Sequence, residues 1–394
     1  MMWDIMAFKS NINSNLGCQI KWKYSMLANK KKNMDIQALR GIAILMVIYA
    51  HIKGRFPMPS FYEESFKYIT VWSGVDIFLA ISGFLMCVTL NRDISKNGNA
   101  LSTYFNFWIR RICRLMPALI FWVLIYILVT SYANERWYPN PENLTPLIKS
   151  TLLGYANIYW SHGVVNRISL GPQDMSDMFA VTWSLSLEWQ LYLIISLSIF
   201  ILSKNKSQIA FVFIFLASLL MPTNERQNTE YIWWYRPGAF MLGAIAYYHL
   251  DKIKIVDNLR LPCITTSWLI ILFTPYLFED HYVIPVISVL SALILVSAIG
   301  NPILSNGVIG RLLVWIGERS YSVYLCHYAI IHLISKFVFI NTSVEFYNST
   351  SGTIIMLSLF IVLTSIASDI SYRIFEQKPI KIGKILMLRR SKTN

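Results

Sequence analysis

The sequence predicts an all-α protein, a polytopic transmembrane helical bundle of about ten spans with both termini in the cytoplasm. Hydrophobic residues make up 55% of the 394 residues, charged residues only 14%, and the mean hydropathy is +0.47. This composition is too apolar for a soluble multidomain enzyme. About ten apolar runs are each long enough to cross a hydrocarbon core of roughly 30 Å. They lie near residues 36–52, 69–90, 115–132, 179–202, 209–221, 231–249, 263–278, 283–299, 312–339 and 353–373.

The distribution of charge gives the orientation. Basic residues precede the first run and occupy the even-numbered connections and the C-terminal end, whereas the alternate loops carry mainly carboxylates. The net charge of +14 therefore indicates membrane topology rather than nucleic-acid binding, and the positive-inside rule places both termini in the cytoplasm. We expect a basic tail over 1–35, one membrane domain over 36–378 and a second basic tail over 379–394. Residues 1–35 hold no apolar core with a cleavage site, so we expect no removable signal peptide.

The longest connection between runs covers residues 133–178 and faces outside in this topology. Its prolines, glycines and aromatic residues suit either a lid lying on the membrane surface or plain interfacial anchoring. The five cysteines are dispersed without a CxxC pair and are interpreted as small packing residues. No His or Cys spacing is typical of a metal site, so none is predicted.

Arg40 and His51 stand at the two ends of the first apolar run. An ionisable side chain inside a span costs roughly 2.5–3.5 kcal/mol, which makes each a candidate functional residue. At about 100° per residue, the step from Arg40 to His51 returns to nearly the same helix face, about 16 Å further along the axis. We expect one helix to present a cation and an imidazole to one channel at two depths.

Asp76 lies near the outer end of the second run, among the small residues Gly74, Ser82 and Gly83. The small residues indicate close helix packing. A buried carboxylate needs a partner, and the nearest candidate in the predicted topology is His51. A carboxylate on one imidazole nitrogen fixes the tautomer and makes the other nitrogen more basic. We therefore expect Asp76 to orient His51 as a general base.

Three arginines, Arg110, Arg111 and Arg114, open the third run on the predicted cytoplasmic side. Topology alone explains basic residues there. Their i, i+1 and i+4 spacing also places them close together near a helix N-terminus, which suits a multiply charged phosphate ligand. Both interpretations remain open.

Further polar residues within later runs are Ser184, Glu188, Tyr192, Arg236, Tyr324 and His327. The first three share one helix face at i, i+4 and i+8 and should look inward, with Glu188 as an ion-pair partner or part of a proton path. Arg236 either snorkels to the interface or contacts substrate. His327 shares a stripe with Tyr324 and Ser320 and is either a hydrogen-bonded packing residue or a site residue.

Taken in order, segments of this chain resemble the membrane-bound acyltransferase-3 family. The segments are Leu39-Arg-Gly41 with His51, 74–84, 110–117, 183–188, 236–243, 317–327 and 372–379. Together they run from about Asp35 to Pro379. Each is weak alone, but their order makes the match specific. Members of this family transfer acyl groups, commonly acetyl, to sugars of surface polysaccharides and related glycans.

The resemblance implies a multi-pass O-acetyltransferase of the bacterial cytoplasmic membrane. Its donor would be acetyl-CoA or another acyl-CoA, with no permanently bound cofactor, and its acceptor a sugar hydroxyl of a surface polysaccharide, lipopolysaccharide O-antigen or lipid-linked sugar. His51 would be the catalytic histidine, Arg40 its partner, and Arg111 with Arg114 the recogniser of the CoA phosphates. The family usually has two adjacent acidic residues where this chain has Glu188-Trp189, which leaves Glu188 alone. No large hydrolase-like domain follows in this sequence, so we expect transfer to be completed within the membrane domain.

The expected mechanism is general-base attack of the sugar hydroxyl on the thioester, with Arg40 or Tyr324 stabilising the oxyanion. A transient acyl-histidine explains the same residues. Two other classes of protein also fit a chain with intramembrane charge. A secondary transporter often shows two related halves, which this sequence lacks. A glycan exporter without acyl-transfer chemistry is the closer alternative.

Overall fold

The computed structural model describes residues 32–97, 100–133, 141–165, 179, 181–220, 236–253 and 255–393. Within these ranges the regular structure is entirely helical, which confirms the all-α prediction. In chain order the helices are α1 (Met34–Ile52), α2 (Ser60–Ser65), α3 (Gly74–Asn97), α4 (Ala100–Ala133), α5 (Pro141–Leu152), α6 (Ala156–Val165), α7 (Thr182–Ile201), α8 (Lys204–Leu219), α9 (Gly238–His249), α10 (Asp257–Leu277), α11 (Asp280–Ser297), α12 (Gly307–Glu318), α13 (Ser320–Asn341), α14 (Val344–Tyr347), α15 (Thr350–Ser371) and α16 (Lys378–Thr393).

Seven helical stretches of the described ranges are long and apolar enough to cross a membrane. They are Met34–Ile52, Gly74–Ser95, Leu101–Val129, Thr182–Ile201, Asp280–Ser297, Ser320–Asn341 and Thr350–Met387. The predicted count of about ten is not reached in this part of the chain. One reason is length, because α8 and α9 have 16 and 12 residues and extend only about 24 and 18 Å.

The apolar run near 312–339 is divided into α12 and α13 at Arg319. The Arg319 side chain lies over the ring of Trp315 at 4.2 Å and forms an ion pair with Asp369 of α15 at 2.7 Å. These two contacts stabilise the Arg319 cation at the turn between α12 and α13. A continuous apolar helix would have to bury the same cation without a partner. The single predicted span is therefore a short helix followed by a long one.

Glycines allow two pairs of helices to pack backbone to backbone. A Cβ atom at Gly41 of α1 would overlap the carbonyl of Leu313 in α12, and one at Gly83 of α3 would overlap the carbonyl of Phe240 in α9. Small residues are the usual means of such close approach between membrane helices. The packing role predicted for Gly83 is confirmed, and these contacts fix α1 and α3 as walls of the site described below.

A π-helical segment, Tyr372–Gln377, joins α15 to α16. Such wide turns occur mostly at functional sites, because they shift the helix register and redirect a side chain. Here Glu376 is only 2% exposed and accepts a hydrogen bond from the Ser322 hydroxyl of α13 at 2.5 Å. The segment thus places a carboxylate inside the bundle at the end where the basic residues lie.

The connection predicted over residues 133–178 contains α5 and α6, with 134–140 and 166–178 outside the described residues. The turn between these helices packs against α7. The side-chain amides of Asn157 and Gln190 exchange two hydrogen bonds of 3.0 and 2.8 Å, and Gln190 also donates to the Gly154 carbonyl at 3.0 Å. Gln190 lies about 12 Å along α7 from its first residue. The helices of this connection are therefore inserted beside α7 rather than laid flat across its end.

Candidate active site

A cavity of about 200 Å³ lies inside the bundle, between α1, α3, α4, α7 and α13. Seven residues singled out in the sequence line it: Arg40, Arg111, Arg114, Ser184, Glu188, Tyr192 and Tyr324. They come from four different helices, and the remaining wall is largely apolar, with Val75, Phe78, Leu79 and Leu85 of α3. Such a mixture of a few polar groups on an apolar surface is typical of small-molecule sites. We call this space the inner cavity.

The polar groups of the inner cavity hold one another in place. Arg40 donates from Nε and Nη2 to the Ser320 hydroxyl at 3.2 and 2.9 Å. The carboxylate of Glu188 accepts hydrogen bonds from the hydroxyls of Ser82 and Tyr192. Both donors are hydroxyl groups, and they fix the Glu188 side chain at the cavity wall. Ser82 was expected only to pack, and the structure corrects that expectation.

Arg111 and Tyr324 complete the walls of the inner cavity. The guanidinium of Arg111 lies 4.7 Å from the ring centroid of Tyr192 and 3.4 Å from its hydroxyl oxygen. The Tyr324 hydroxyl donates to the Val181 carbonyl at 2.7 Å and lies 2.7 Å from the Ser184 hydroxyl. Tyr324 is thus fixed at the end of the cavity where α7 begins.

A second, larger cavity of about 510 Å³ adjoins the first. The two share Arg40, Leu85, Thr89 and Arg114. We call the larger one the basic vestibule, because six of its lining residues are cationic and two are acidic. The cations are Lys32, Arg40, Arg92, Arg114, Lys381 and Lys384, and the acids are Glu318 and Glu376. An anion entering the vestibule would meet Arg114 at the boundary with the inner cavity.

Arg110 does not join Arg111 and Arg114, contrary to the predicted cluster of three. Its guanidinium pairs with Asp93 of α3 and also contacts the sulfur of Met387 at 3.7 Å. Arg110 lines neither cavity. Arg110 instead forms an ion pair with Asp93 on another helix, and helical spacing alone does not predict such a partner.

Asp76 and Arg236 form a buried ion pair, which corrects two predictions. Arg236 donates from Nε and Nη2 to the two carboxylate oxygens of Asp76 at 3.1 and 2.6 Å, and the two side chains are 2% and 1% exposed. The guanidinium also lies 4.6 Å from the ring of Trp72 and 5.4 Å from that of Trp183. Bidentate pairing of this kind satisfies a buried carboxylate. Asp76 is therefore not the partner of His51, and Arg236 neither snorkels nor lines either of the two cavities described above.

The partner of His51 is His327. Nδ1 of His51 lies 2.8 Å from Nε2 of His327, and the two rings are nearly parallel. Nδ1 of His327 lies 3.2 Å from the Val323 carbonyl oxygen, and Tyr328 packs 4.8 Å from each ring. The histidine pair lies beyond the inner cavity. Tyr324, which lines that cavity, has its ring centroid 5.8 Å from that of His327.

Arg40 lines both of these cavities, whereas His51 lines neither of them, and the expectation that the two residues face one channel stays a prediction. From the sequence, Ser320 is predicted only to share the stripe of Tyr324 and His327, and Glu376 is given no role. Glu376 belongs to segment 372–379, which is part of the family resemblance. The basic residues that follow it indicate only membrane topology, and they give no sign of a buried carboxylate.

Comparison with known proteins gives the family. A family model described as an acyltransferase domain, that of acyltransferase-3, matches residues 33–373. A "Putative O-acetyltransferase" of Staphylococcus aureus strain COL is 25% identical over 376 residues, covering 86% of this chain and 56% of the relative. The "Putative peptidoglycan O-acetyltransferase YrhL" of Bacillus subtilis is 26% identical over 385 residues, covering 88% and 54%. "O-acetyltransferase OatA" of Staphylococcus aureus strain NCTC 8325 is 23% identical over 372 residues, covering 88% and 57%.

The chain thus spans a little over half the length of these relatives. No solved structure matches it. The family match covers α1 to α15 and includes the walls of both cavities apart from Lys32 and the residues that follow position 373. This chain therefore belongs to the acyltransferase-3 family of membrane acyltransferases.

Proposed function

We propose that this protein is an O-acetyltransferase of the bacterial cytoplasmic membrane that moves an acetyl group from acetyl-CoA to a sugar hydroxyl of the cell envelope. The observation that carries the proposal is the junction of a basic vestibule with an inner cavity whose far end lies one side chain from a histidine pair. A donor with a phosphorylated head and a long, mostly uncharged arm fits this arrangement, with its head in the basic vestibule and its arm in the inner cavity.

The basic vestibule supports an acyl-CoA as the donor. CoA carries several negative charges at one end, and six cations against two carboxylates give the vestibule the opposite sign. Arginine binds phosphate through a rigid, bidentate fork, so Arg114 at the boundary is the best placed of the six to hold a phosphate. Beyond it, the apolar wall formed by α3 suits the pantetheine arm and the acyl chain.

His51 supports the chemical step. In the proposed reaction the acceptor hydroxyl oxygen attacks the thioester carbonyl carbon, an ester C–O bond forms and the C–S bond breaks. The hydroxyl proton passes to the imidazole of His51 and then to the departing thiolate of CoA. Histidine suits this role because its ordinary pKa lies near neutral pH. Of the two predicted oxyanion donors, Tyr324 lies nearer to the thioester in this reaction, because its ring is 5.8 Å from that of His327, whereas Arg40 lies about 16 Å from His51 along α1.

The placement of charge supports a cytoplasmic donor and an external acceptor. The vestibule residues Lys32 and Arg92 lie beside the predicted cytoplasmic ends of α1 and α3, whereas His51 lies at the opposite end of α1. The acceptor is proposed to be a surface glycan or lipid-linked sugar. A relative named for peptidoglycan adds the sugars of peptidoglycan to the polysaccharide and O-antigen candidates.

The test is acyl transfer by the full chain in lipid nanodiscs. Purified protein is incubated with radiolabelled acetyl-CoA and either peptidoglycan fragments or O-antigen polysaccharide, and CoA thiol release and glycan-bound label are measured. Acceptor-dependent release of CoA with label on the glycan is expected, and it should be lost in His51→Ala. An exporter or transporter would release no CoA with any acceptor, and that result would overturn the proposal.

A further inference from the structure

The contact between His51 and His327 helps to determine which nitrogen of each imidazole ring carries a hydrogen. A hydrogen bond between two imidazole nitrogens needs one nitrogen with a hydrogen and one without. The distance of 2.8 Å between Nδ1 of His51 and Nε2 of His327 is within hydrogen-bond range. Which nitrogen donates depends on what the other nitrogen of each ring contacts.

The Val323 carbonyl settles the direction. A carbonyl oxygen only accepts, so Nδ1 of His327, 3.2 Å away, must carry the hydrogen of that bond. In a neutral ring, Nε2 of His327 then has a lone pair and accepts from His51. The hydrogen of His51 therefore resides on Nδ1, which leaves Nε2 of His51 as the bare, basic nitrogen.

We infer that His327 is a positioning residue, which holds His51 in the tautomer whose Nε2 accepts the proton of the acceptor hydroxyl. This inference rests on the proposed function for the meaning of that nitrogen, but not for the tautomer itself. The chain of contacts runs from the Val323 carbonyl through His327 to His51. Val323 and His327 are one turn apart on α13, and His51 lies in the last turn of α1.

The surroundings suit such a relay. His327 is fully buried and His51 half-buried, so water does not replace the hydrogen bond from the His327 side. Tyr328 packs against both rings at 4.8 Å and Tyr324 against His327 at 5.8 Å. Arg55 is the charged group that acts on His51 from the turn after α1, and like His51 it lies at the predicted outer end.

His51 in this arrangement resembles the histidine of a catalytic triad, with a neutral imidazole in place of the carboxylate. Replacing the triad carboxylate so that the tautomer is wrong lowers kcat by about 10⁴-fold. A neutral acceptor stabilises the imidazolium less than a carboxylate does. We therefore expect a loss of roughly 10²–10⁴-fold in kcat when His327 can no longer accept a hydrogen bond.

Three substitutions test this role. In His327→Phe the ring shape remains but no acceptor is present, so kcat should fall by about 10²-fold or more while KM for acetyl-CoA stays within about twofold. In His327→Gln the side-chain carbonyl can occupy the position of Nε2, so most of the lost activity should return. His332→Phe is the matched control, because His332 is a further histidine of α13 that stacks on Tyr328 at 6.2 Å without bonding His51. It should stay near wild-type kcat.

A second measurement reads the tautomer without any acyl transfer. Protein with ¹⁵N-labelled histidine is examined by NMR in nanodiscs, and the His51 signals are assigned by their loss in His51→Gln. Wild type and His327→Gln should show a hydrogen on Nδ1 of His51, and His327→Phe should not. A hydrogen on Nε2 of His51 in the wild type would overturn the inference. So would unchanged turnover in His327→Phe, or a His327→Gln variant as slow as His327→Phe although folded.

The two experiments separate this inference from the proposed function. If the wild-type protein transfers no acetyl group but the NMR shows Nδ1–H on His51, the function fails and the positioning of His51 stands. If acetyl transfer depends on His51 but not on His327, the function stands and the positioning role fails.

Discussion

Removing the Asp76 carboxylate should destabilise the protein strongly while leaving the chemistry of each folded molecule nearly intact. In Asp76→Ala the Arg236 guanidinium loses hydrogen bonds of 3.1 and 2.6 Å, and it remains at 2% exposure between two indole rings. Breaking a buried pair on one side costs about 3–5 kcal/mol, because the other charge is left uncompensated. The cation–π contact between Arg236 and the two indole rings contributes only about 0.5–2 kcal/mol. The wild-type protein already has this contact, so it does not offset the loss in the variant.

The double variant Asp76→Leu with Arg236→Met separates burial of a charge from loss of packing. Replacing both partners by apolar residues of similar size is often neutral or stabilising, so the double variant should be more stable than Asp76→Ala. A matched control is Asp257→Asn, since Asp257 also pairs with a buried arginine at 3.3 Å but its own side chain is 58% exposed. That pair should contribute about 1 kcal/mol or less.

Thermal unfolding of purified protein in detergent, followed by intrinsic tryptophan fluorescence, measures these differences. A loss of 3–5 kcal/mol corresponds to a fall in Tm of roughly 4–6 °C for a chain of this size. Acetyl transfer per folded molecule is measured below the Tm of the weakest variant and should stay within about threefold of wild type. An unchanged Tm together with abolished turnover would refute the structural interpretation and restore Asp76 to the chemistry of His51.

The remaining predictions concern the donor, the base and the connection around α5 and α6. The double variant Arg111→Gln with Arg114→Gln should raise KM for acetyl-CoA by about tenfold or more with a smaller effect on kcat, since a remote phosphate contact acts alike in ground and transition states. Arg110→Gln is the control. Equal KM values in the double variant and the control would place the phosphate site elsewhere. His51→Ala should lower kcat to background at an unchanged Tm, and activity within tenfold of wild type would exclude His51 as the base. Exchange of residues 141–165 with those of a relative that modifies another sugar should change glycan preference and leave KM for acetyl-CoA within about twofold, and the reverse pattern would contradict this division. For topology, a cysteine at exposed Lys149 should react with an impermeant thiol reagent from outside, and reaction from the cytoplasmic side alone would contradict the predicted topology.

Much of the inner cavity could be predicted from the sequence because ionisable residues in apolar runs are costly unless they face a polar space. Arg40 and Glu188 satisfy that rule, and the i, i+4, i+8 spacing correctly placed Ser184, Glu188 and Tyr192 on one wall. The all-α class follows from the same requirement, since a helix satisfies its own backbone hydrogen bonds in lipid.

Partners from distant helices could not be predicted in this way. Asp76 and Arg236 are 160 residues apart, and His51 and His327 are 276 apart. Helical periodicity states which face of a helix a residue occupies, but it does not state which other helix covers that face. The predicted topology offers a partner for Asp76 only on the neighbouring span, and that partner is His51. Both residues needed a partner, and each finds it much later in the chain.

The separation of Arg40 from His51 shows the same limit at the scale of the site. Both residues lie on α1, about 16 Å apart, as the helical rise requires. What lies between them is decided by α13, which contributes Ser320 to bind Arg40, Tyr324 to close the inner cavity and His327 to bind His51. These three residues follow one another at i, i+4 and i+7, so one stripe of α13 contacts α1 at both Arg40 and His51. In the proposed reaction a donor held at Arg114 would pass along this stripe to bring its thioester to His51, and Tyr324, which lines the inner cavity and packs against His327, lies on that path.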